Sequence, residues 1–178
     1  MIFVTETGAG LANATSYVSV EEADAYFEQF GNEDWDGTVE EKQLALNKAT
    51  RSIDLLFGQR FQSYPSYPNT QALLFPRSAF YINQWQTVST NTIPRLLKQA
   101  VCEVALIALN DGDILPNITE DSSIAEEEME IGPLKMKTKY SGATTSEQLE
   151  GFYQIELLLG PLLNNGGAPD HYYAYMGL

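Results

Sequence analysis

The sequence contains almost none of the side chains that most enzymes use as nucleophiles or general bases. Its 178 residues include a single histidine, His171, and a single cysteine, Cys102. His171 lies in a Gly- and Tyr-rich C-terminal segment, so a Ser-His-Asp or Cys-His device would depend on a base without a fixed position. Carboxylate pairs are frequent, but 24 acidic residues produce such pairs by chance. We therefore expect no catalytic residues and a protein that is not an enzyme.

One cysteine also excludes an internal disulfide. Cys102 stands in an apolar run with helical periodicity, which predicts a thiol packed in the core. No run approaches the roughly 20 apolar residues that span a bilayer. The first six residues, Met1-Ile2-Phe3-Val4-Thr5-Glu6, lack the basic start of a secretory signal. We expect a protein that is made and kept in a cytoplasm and has no membrane partner.

Positive charge is scarce, because 10 Lys and Arg residues face 24 Asp and Glu residues and the net charge is −14. Such a chain repels a phosphate backbone unless its few cations are gathered in one place. Arg60, Arg77 and Arg95 do bracket an aromatic segment, and single-stranded nucleic acid requires aromatic platforms with nearby cations. We prefer the interpretation that these arginines pair with local carboxylates while the aromatic rings cover the helices. The rings concerned are Phe75, Tyr81 and Trp85.

Metal and nucleotide motifs are incomplete. Asn32-Glu33-Asp34-Trp35-Asp36-Gly37 has the spacing of a calcium loop, but its twelfth position is Gln43, which cannot chelate through two oxygens. Thr38 would also start the next helix too early for that loop. Gly8-Ala9-Gly10 lacks the spacing of a phosphate-binding loop and a helix behind it. We expect an acidic turn between helices, with no metal and no cofactor.

Two capping boxes predict the first two helices. Ser19-Val20-Glu21-Glu22 starts a helix that Gly31 ends, and Thr38-Val39-Glu40-Glu41 starts a second that runs to about Phe57. Several residues of the second helix recur at helical spacing and are expected to form its apolar face. They are Leu44, Ala45, Ala49, Ser52, Ile53 and Leu56.

Two further helices and a strand follow. A largely apolar third helix begins with Pro94 as its first residue and stops at Asn110-Asp111-Gly112-Asp113. Ser146 is a candidate cap for a last helix that leads to Gly160-Pro161, and a short strand is expected near residues 80–82. The fold class is mainly α: a small bundle of about four helices with a protruding β-hairpin and an extended C-terminal tail. We predict one helical domain over residues 1–163, with the hairpin arm inserted at about 124–141, and a tail at 164–178.

The hairpin prediction rests on two short segments of opposite charge joined by Gly132-Pro133, where glycine supplies the positive φ of a type II′ turn. An isolated two-stranded ribbon is marginal in water, so this one is expected to lie against a neighbouring subunit or ring. A charge-laced surface loop on its own domain is the alternative. The register places Glu130 opposite Lys135, Glu128 opposite Lys137, Glu126 opposite Lys139, Ile131 opposite Leu134 and Met129 opposite Met136.

The C-terminal segment combines a hinge, Asn164-Asn165-Gly166-Gly167, with an aromatic cluster. Tyr and Met side chains bury well in a partner's groove, so we interpret the segment as a docking peptide. A merely frayed end is the alternative. The candidate docking residues, for a portal or another neighbour, are Tyr172, Tyr173, Tyr175, Met176 and Leu178.

Several blocks of the chain resemble a family of tailed-phage virion proteins, over about residues 6–163. The blocks are Thr7 to Tyr26, Ala49-Thr50-Arg51-Ser52-Ile53-Asp54, Thr70-Gln71-Ala72-Leu73-Leu74-Phe75-Pro76-Arg77, Ile93 to Ala100 and Ile131-Gly132-Pro133. The chain is similar to head–tail adaptor proteins, also called connector or head-completion proteins, which are often labelled DnaT-like single-stranded DNA-binding proteins. The triple-Glu arm and the long aromatic tail depart from that family.

The resemblance implies a structural virion protein that forms a dodecameric ring under the portal, at the neck of the particle, where it joins the capsid to the tail and helps to retain DNA. Its partners would be copies of itself, the portal and a tail or second adaptor protein, and genomic DNA would pass through the lumen without specific binding. A competing hypothesis is a DnaT-like replication accessory protein that binds single-stranded DNA. A third, an acidic or metal-dependent hydrolase, would need a cleft and a base that the sequence does not show.

Overall fold

The computed structural model describes residues 2–82, 86–111, 125–131, 134–140 and 146–164, with side chains for residues 2–82, 86–110 and 153–164. Over these ranges the chain is mainly α, with four helices and an antiparallel hairpin that precedes the last helix in the sequence, as the sequence predicts. The elements are α1 (Val20–Phe30), α2 (Val39–Phe57), β1 (Phe80–Ile82), β2 (Gln86–Val88), α3 (Arg95–Asp111), β3 (Ala125–Ile131), β4 (Leu134–Tyr140) and α4 (Ser146–Leu159). Single 3₁₀ turns follow α2 and α4.

The chain divides into two compact units. One, the helical unit, consists of Met1–Ile114 and Ile155–Leu178, and the other, the ribbon unit, is Leu115–Gln154. The predicted domain limits, 1–163 and 164–178, stay predictions.

Both predicted capping boxes are present. The Ser19 hydroxyl accepts from the Glu22 N–H at 3.2 Å, and the Glu22 carboxylate accepts from the Ser19 N–H at 3.1 Å. Thr38 and Glu41 exchange the same pair of bonds at the start of α2. Gly31 ends α1 with φ 63°, the left-handed conformation that glycine adopts without a steric penalty. Each cap contributes about 1 kcal/mol, which fixes where these helices begin.

The core of the helical unit lies mainly between α2 and α3, which pack more extensively than any other pair of described helices. Alanines at several buried positions, including Ala49 and Ala105, permit close approach of the two helices, and Leu46 and Leu97 fill the space between them. Cys102 is 2% exposed, which confirms the predicted core thiol. Burial raises the pKa of this thiol to about 12, so it stays protonated and unreactive at neutral pH.

Two details of the helices differ from the sequence prediction. Helix α3 starts at Arg95, and the carbonyl of Pro94 accepts from the Lys98 N–H at 3.1 Å, so Pro94 precedes the first helical residue instead of occupying it. On α2, Leu44 and Leu56 are 46% and 41% exposed, so their assignment to the apolar face was wrong. Three other residues of α2, Leu46, Thr50 and Phe57, belong to the buried face instead.

The connector between α2 and α3 contains a small hairpin. The expected strand at residues 80–82 is confirmed as β1, and it pairs with β2 in a register that sets Phe80 opposite Val88 and Ile82 opposite Gln86. The sequence did not predict β2, because its residues are mostly polar and alternate over only three positions.

The ribbon unit contains β3 and β4, which pair antiparallel over seven residues each. The pairs run from Ala125 opposite Tyr140 to Ile131 opposite Leu134, with Met129 opposite Met136. All three Glu positions therefore face the Lys positions that the sequence assigns to them, and the predicted register is confirmed. The proposed turn residues Gly132 and Pro133 lie outside the described residues.

Candidate docking surfaces

The N-terminal segment is held by one buried carboxylate. Glu6 is 1% exposed, and its carboxylate oxygens accept from the N–H groups of Gly8, Gly10 and Leu11 at 2.8–3.0 Å. Gly8 has φ 99°, and a Cβ there would meet the Asn91 carbonyl oxygen at 1.9 Å. Only glycine fits this close approach of two backbone segments. The Gly-Ala-Gly sequence therefore builds a structural loop around Glu6.

A buried hydrogen-bond network links α2 to the segment 70–77. The Tyr17 hydroxyl donates to the Asp54 carboxylate, with its oxygen 2.8 Å from Oδ1 and 3.0 Å from Oδ2. Asp54 also accepts from the Leu74 N–H at 3.2 Å, and the Tyr17 oxygen accepts from the Phe75 N–H at 3.0 Å. Burial raises the pKa of Asp54 to about 6, and burial beside Asp54 raises the pKa of Tyr17 well above its ordinary value. Tyr17 and Asp54 therefore fix the position of the segment 70–77.

Arg77 also holds the segment 70–77 in place, through hydrogen bonds to backbone carbonyls. It is 6% exposed, and its guanidinium lies over the rings of Phe61 and Phe75 at 5.9 and 5.7 Å. It donates to three backbone carbonyls, those of Gln62, Ser63 and Leu74. The expectation that Arg77 pairs with a carboxylate is therefore wrong, because the five N–H donors of a guanidinium can serve a loop that carries several unpaired carbonyls. The Thr70–Arg77 block that carries the family resemblance is structural.

Three other cations of the helical unit are bound by carboxylates. Arg60 Nη2 lies 2.6 Å from Glu156 Oε1, as expected for an arginine with a local acidic partner. Lys42 Nζ lies 2.8 Å from Asp24 Oδ1, and Lys98 pairs with Glu22. Arg95, at the start of α3, is exposed. These pairs reduce the positive charge that the described surface can offer to a phosphate.

The aromatic connector is divided between core and surface. Phe61, Phe75 and Phe80 are buried and pack edge to face, so the expected covering role holds for Phe75. Tyr81 is 63% exposed, and its predicted covering role is wrong because the middle residue of β1 points away from the core. Tyr64 and Tyr67 are also exposed, at 68% and 41%. Trp85 lies outside the described residues.

Two open grooves are present on the helical unit. One, of about 410 Å³, runs between α1 and α3 and is lined by Tyr26, Phe30 and Arg95 among others. The Tyr26 hydroxyl donates to the Glu103 carboxylate at 2.6 Å, which ties α1 to α3. The other, of about 470 Å³, lies beside the C-terminal half of α2 and is lined by Arg51 and Leu55.

Within the described ranges, no cluster of three or more His, Cys, Asp or Glu side chains is arranged to hold a metal ion. The same part of the chain contains no helix with the length and apolar character needed to cross a membrane.

The predicted docking residues have different outcomes. The arm positions Glu126, Glu128, Glu130, Ile131, Leu134, Lys135, Lys137 and Lys139 all lie in the paired strands, and their contacts with a partner stay a prediction. The tail positions Tyr172, Tyr173, Tyr175, Met176 and Leu178 lie outside the described residues.

Sequence reasoning missed the pairing of Tyr17 with Asp54. Both residues stand in blocks that carry the family resemblance, Thr7–Tyr26 and Ala49–Asp54, and that shared membership was the available signal.

One family model matches nearly the whole chain. It covers residues 1–173 and is described as "Putative DnaT-like ssDNA binding protein". Searches among curated proteins and among solved structures found no significant match. Because the family model spans far more than half of the sequence, the chain belongs to the DnaT-like ssDNA binding protein family.

Proposed function

We propose that this protein is a non-enzymatic head–tail adaptor of a tailed phage, one subunit of a homo-oligomeric ring that joins the portal to a tail or second adaptor protein. The sequence blocks that resemble this family extend through the helical unit and into residues 131–133. The protein would be made in the host cytoplasm and end at the neck of the virion.

The observation that carries the proposal is the ribbon in its own compact unit. Among the strands that the structure describes, β3 and β4 pair only with each other, in a two-stranded sheet within Leu115–Gln154. Two strands alone are marginally stable in water, so a ribbon of this kind gains stability when a partner lies against it. In a ring of identical subunits the neighbouring copy or the portal would supply that partner.

The charge pattern of the helical unit also supports an adaptor. Its cations Lys42, Arg60 and Lys98 are bound to carboxylates, and Arg77 is buried under backbone carbonyls. A surface with few unpaired cations gains little from counterion release, which supplies most of the affinity for a nucleic acid backbone. Such a surface suits a channel that DNA crosses without being held.

Single-stranded DNA binding is the second candidate, and the family description supports it more directly than it supports the adaptor. The structural observation in its favour is the group of exposed tyrosines at 64, 67 and 81, all in the connector between α2 and α3. Exposed aromatic rings are the stacking platforms that single strands use, and each stacked base contributes about 1–3 kcal/mol.

A binding titration separates the two candidates. Fluorescence anisotropy of a labelled oligo-dT would be measured at low salt, with the wild type and with the triple variant Y64A/Y67A/Y81A. The adaptor proposal predicts no saturable binding at protein concentrations up to about 100 μM. Micromolar binding that weakens with salt and is lost in the triple variant would establish the second candidate instead.

The adaptor proposal has its own positive test. A phage that lacks the gene should accumulate filled heads without attached tails, and the protein supplied in trans should restore joining. Immunogold labelling of complete particles should place the protein at the neck. Particles that assemble and infect normally without the protein would exclude the adaptor role.

A further inference from the structure

One face of α2 carries a strip that is exposed except at Lys48, which is half-buried. Leu44, Lys48, Arg51 and Leu55 follow at spacings of four, three and four residues, so they form a single line along the helix. We call these four residues the α2 strip. Leu44 and Leu55 are 46% and 60% exposed, Arg51 is exposed, and the strip lies opposite the buried face that contains Ala49 and Ile53. The strip thus places Arg51, an exposed cation, between two exposed leucines on one side of the helix.

The groove beside the strip extends its apolar surface. Leu55, Ala72, Leu73 and Leu74 form the apolar part of the wall of this 470 Å³ groove. Arg51 is its cationic residue, and Asp54, which accepts from the Tyr17 hydroxyl, is its acidic one. Leu74 also approaches α2 closely, since a Cβ on Gly58 would lie 2.4 Å from its Cδ1. An occupant of this groove needs an acidic group for Arg51 and apolar side chains for the leucines.

The turn between α1 and α2 of the same protein has the complementary pattern. Glu33, Asp34 and Asp36 are exposed in this acidic turn. Two large apolar side chains that flank it, Phe30 and Val39, are also exposed, at 64% and 55%. The order apolar, acidic, apolar in the turn corresponds to the order apolar, basic, apolar in the α2 strip.

We propose that the acidic turn of one copy docks on the α2 strip and its groove in the next copy. The two surfaces occupy different places on one subunit, so the contact is head to tail and can propagate from copy to copy. It deepens the proposed adaptor function, on which its biological role rests, by naming the surface through which identical subunits meet.

Local complementarity is what makes this contact specific. Two chains of net charge −14 repel each other at most orientations. An orientation that sets Glu33 and Asp34 against Arg51 of the neighbour replaces that repulsion with attraction at short range. The apolar groups that bracket the charges exclude water from the contact. The expected affinity of a single contact is weak, and a closed ring strengthens it by linking many contacts.

Charge reversal tests the contact in the purified protein. Sedimentation equilibrium of the full chain up to about 1 mM should show association of the wild type, and R51E should weaken it about tenfold. The matched control is R95E, which makes the same change in net charge at an exposed arginine outside the strip. R95E should associate within about twofold of the wild type. Circular dichroism and thermal unfolding would verify that each variant is folded.

A mixing experiment tests the head-to-tail geometry. The turn variant E33K/D34K should self-associate more weakly than the wild type, like R51E. An equimolar mixture of the two variants should form heterodimers, because the native turn of one meets the native strip of the other. A wild type that stays monomeric, equal effects of R51E and R95E, or a mixture that does not associate would each overturn the proposal. Because these measurements use no phage particle, they succeed or fail independently of the neck-localisation test of the adaptor function.

Discussion

At the scale of single residues, Asp54 is the described carboxyl whose protonation is most altered by folding. Its side chain is held by Tyr17 and by the Leu74 N–H, and burial raises its pKa from the ordinary 3.8 to about 6, while Arg77 nearby acts in the opposite direction. The folded state therefore binds the Asp54 proton more tightly than the unfolded state. Between about pH 4 and pH 6 this group lowers the free energy of unfolding as the pH rises.

The variant D54N removes this ionisation and keeps an oxygen that can accept from Tyr17. We compare the free energy of unfolding of D54N with that of the wild type at each pH. Relative to the wild type, D54N should be more stable at pH 7 than at pH 4, by on the order of 3 kcal/mol. Urea denaturation at the two pH values measures this difference. D34N, at an exposed aspartate, is the control for the Asp-to-Asn change itself. A pH-independent difference for D54N would show that Asp54 titrates normally in the folded protein.

Arg77 allows a second prediction at this scale. Its replacement by Ala leaves three carbonyls without their donor and removes packing over Phe61 and Phe75, so we expect a loss of about 3–5 kcal/mol. R77M keeps much of the packing and separates the hydrogen-bond contribution from it. R95A, at an exposed arginine, should change stability by less than about 0.5 kcal/mol. Similar stability of R77A and R95A in thermal unfolding would contradict a structural role for the Arg77 block.

At the scale of elements, local signals predicted what local interactions determine. The caps of α1 and α2 involve residues three apart, so Ser19 and Thr38 located both helix starts from the sequence. The strand β2 was missed because its pairing with β1 depends on the tertiary path of the connector. The network of Tyr17 and Asp54 spans 37 residues, and no short-range pattern announces it.

The register of the ribbon was predicted more accurately than the apolar face of α2. Alternating charges and a candidate turn sufficed to predict its register, because hairpin pairing is local. The apolar face of α2 was predicted less well, since helical spacing alone admits Leu44 and Leu56 as core residues. Which side of a helix is covered depends on α3, and that helix is far away in the sequence.

The ribbon supports a prediction at the element scale. Reversing Lys135, Lys137 and Lys139 to Glu places like charges at all three paired positions and should cost about 0.2–1 kcal/mol per pair. Fluorescence of the tryptophans, including the buried Trp35, should show nearly unchanged unfolding of the helical unit, while adaptor assembly fails.

The control for the ribbon is a charge swap. Reversing Glu126, Glu128 and Glu130 to Lys in the same chain restores opposite charges across every pair, in the inverted order. Recovered assembly would show that pairing within the ribbon is what matters, whereas continued failure would indicate that a partner reads the individual charges. Loss of helical stability together with assembly would contradict an arm that serves mainly as a contact.

At the scale of the whole molecule, the question is whether the C-terminal segment docks on a partner. The described chain ends at Asn164, whose N–H donates to the Arg60 carbonyl at 2.7 Å and whose side chain donates to the Phe61 carbonyl. Asn164 therefore belongs to the helical unit. A truncation that tests the aromatic docking residues should begin after it.

Deleting residues 165–178 should leave the helical unit folded, because the hydrogen bonds of Asn164 and the buried residues Leu162 and Leu163 are retained. The truncated protein should lose its ability to complete particles, since tyrosine and methionine side chains are the anchors that typically dominate an interface. Thermal unfolding measures the first outcome, and complementation of a gene-deficient phage measures the second. A milder variant, with Tyr172, Tyr173 and Tyr175 changed to Ser, keeps the chain length and should reproduce the assembly defect. If both proteins restore infectious particles to the normal level, the docking surface lies in the ribbon or on the α2 strip and not in this segment.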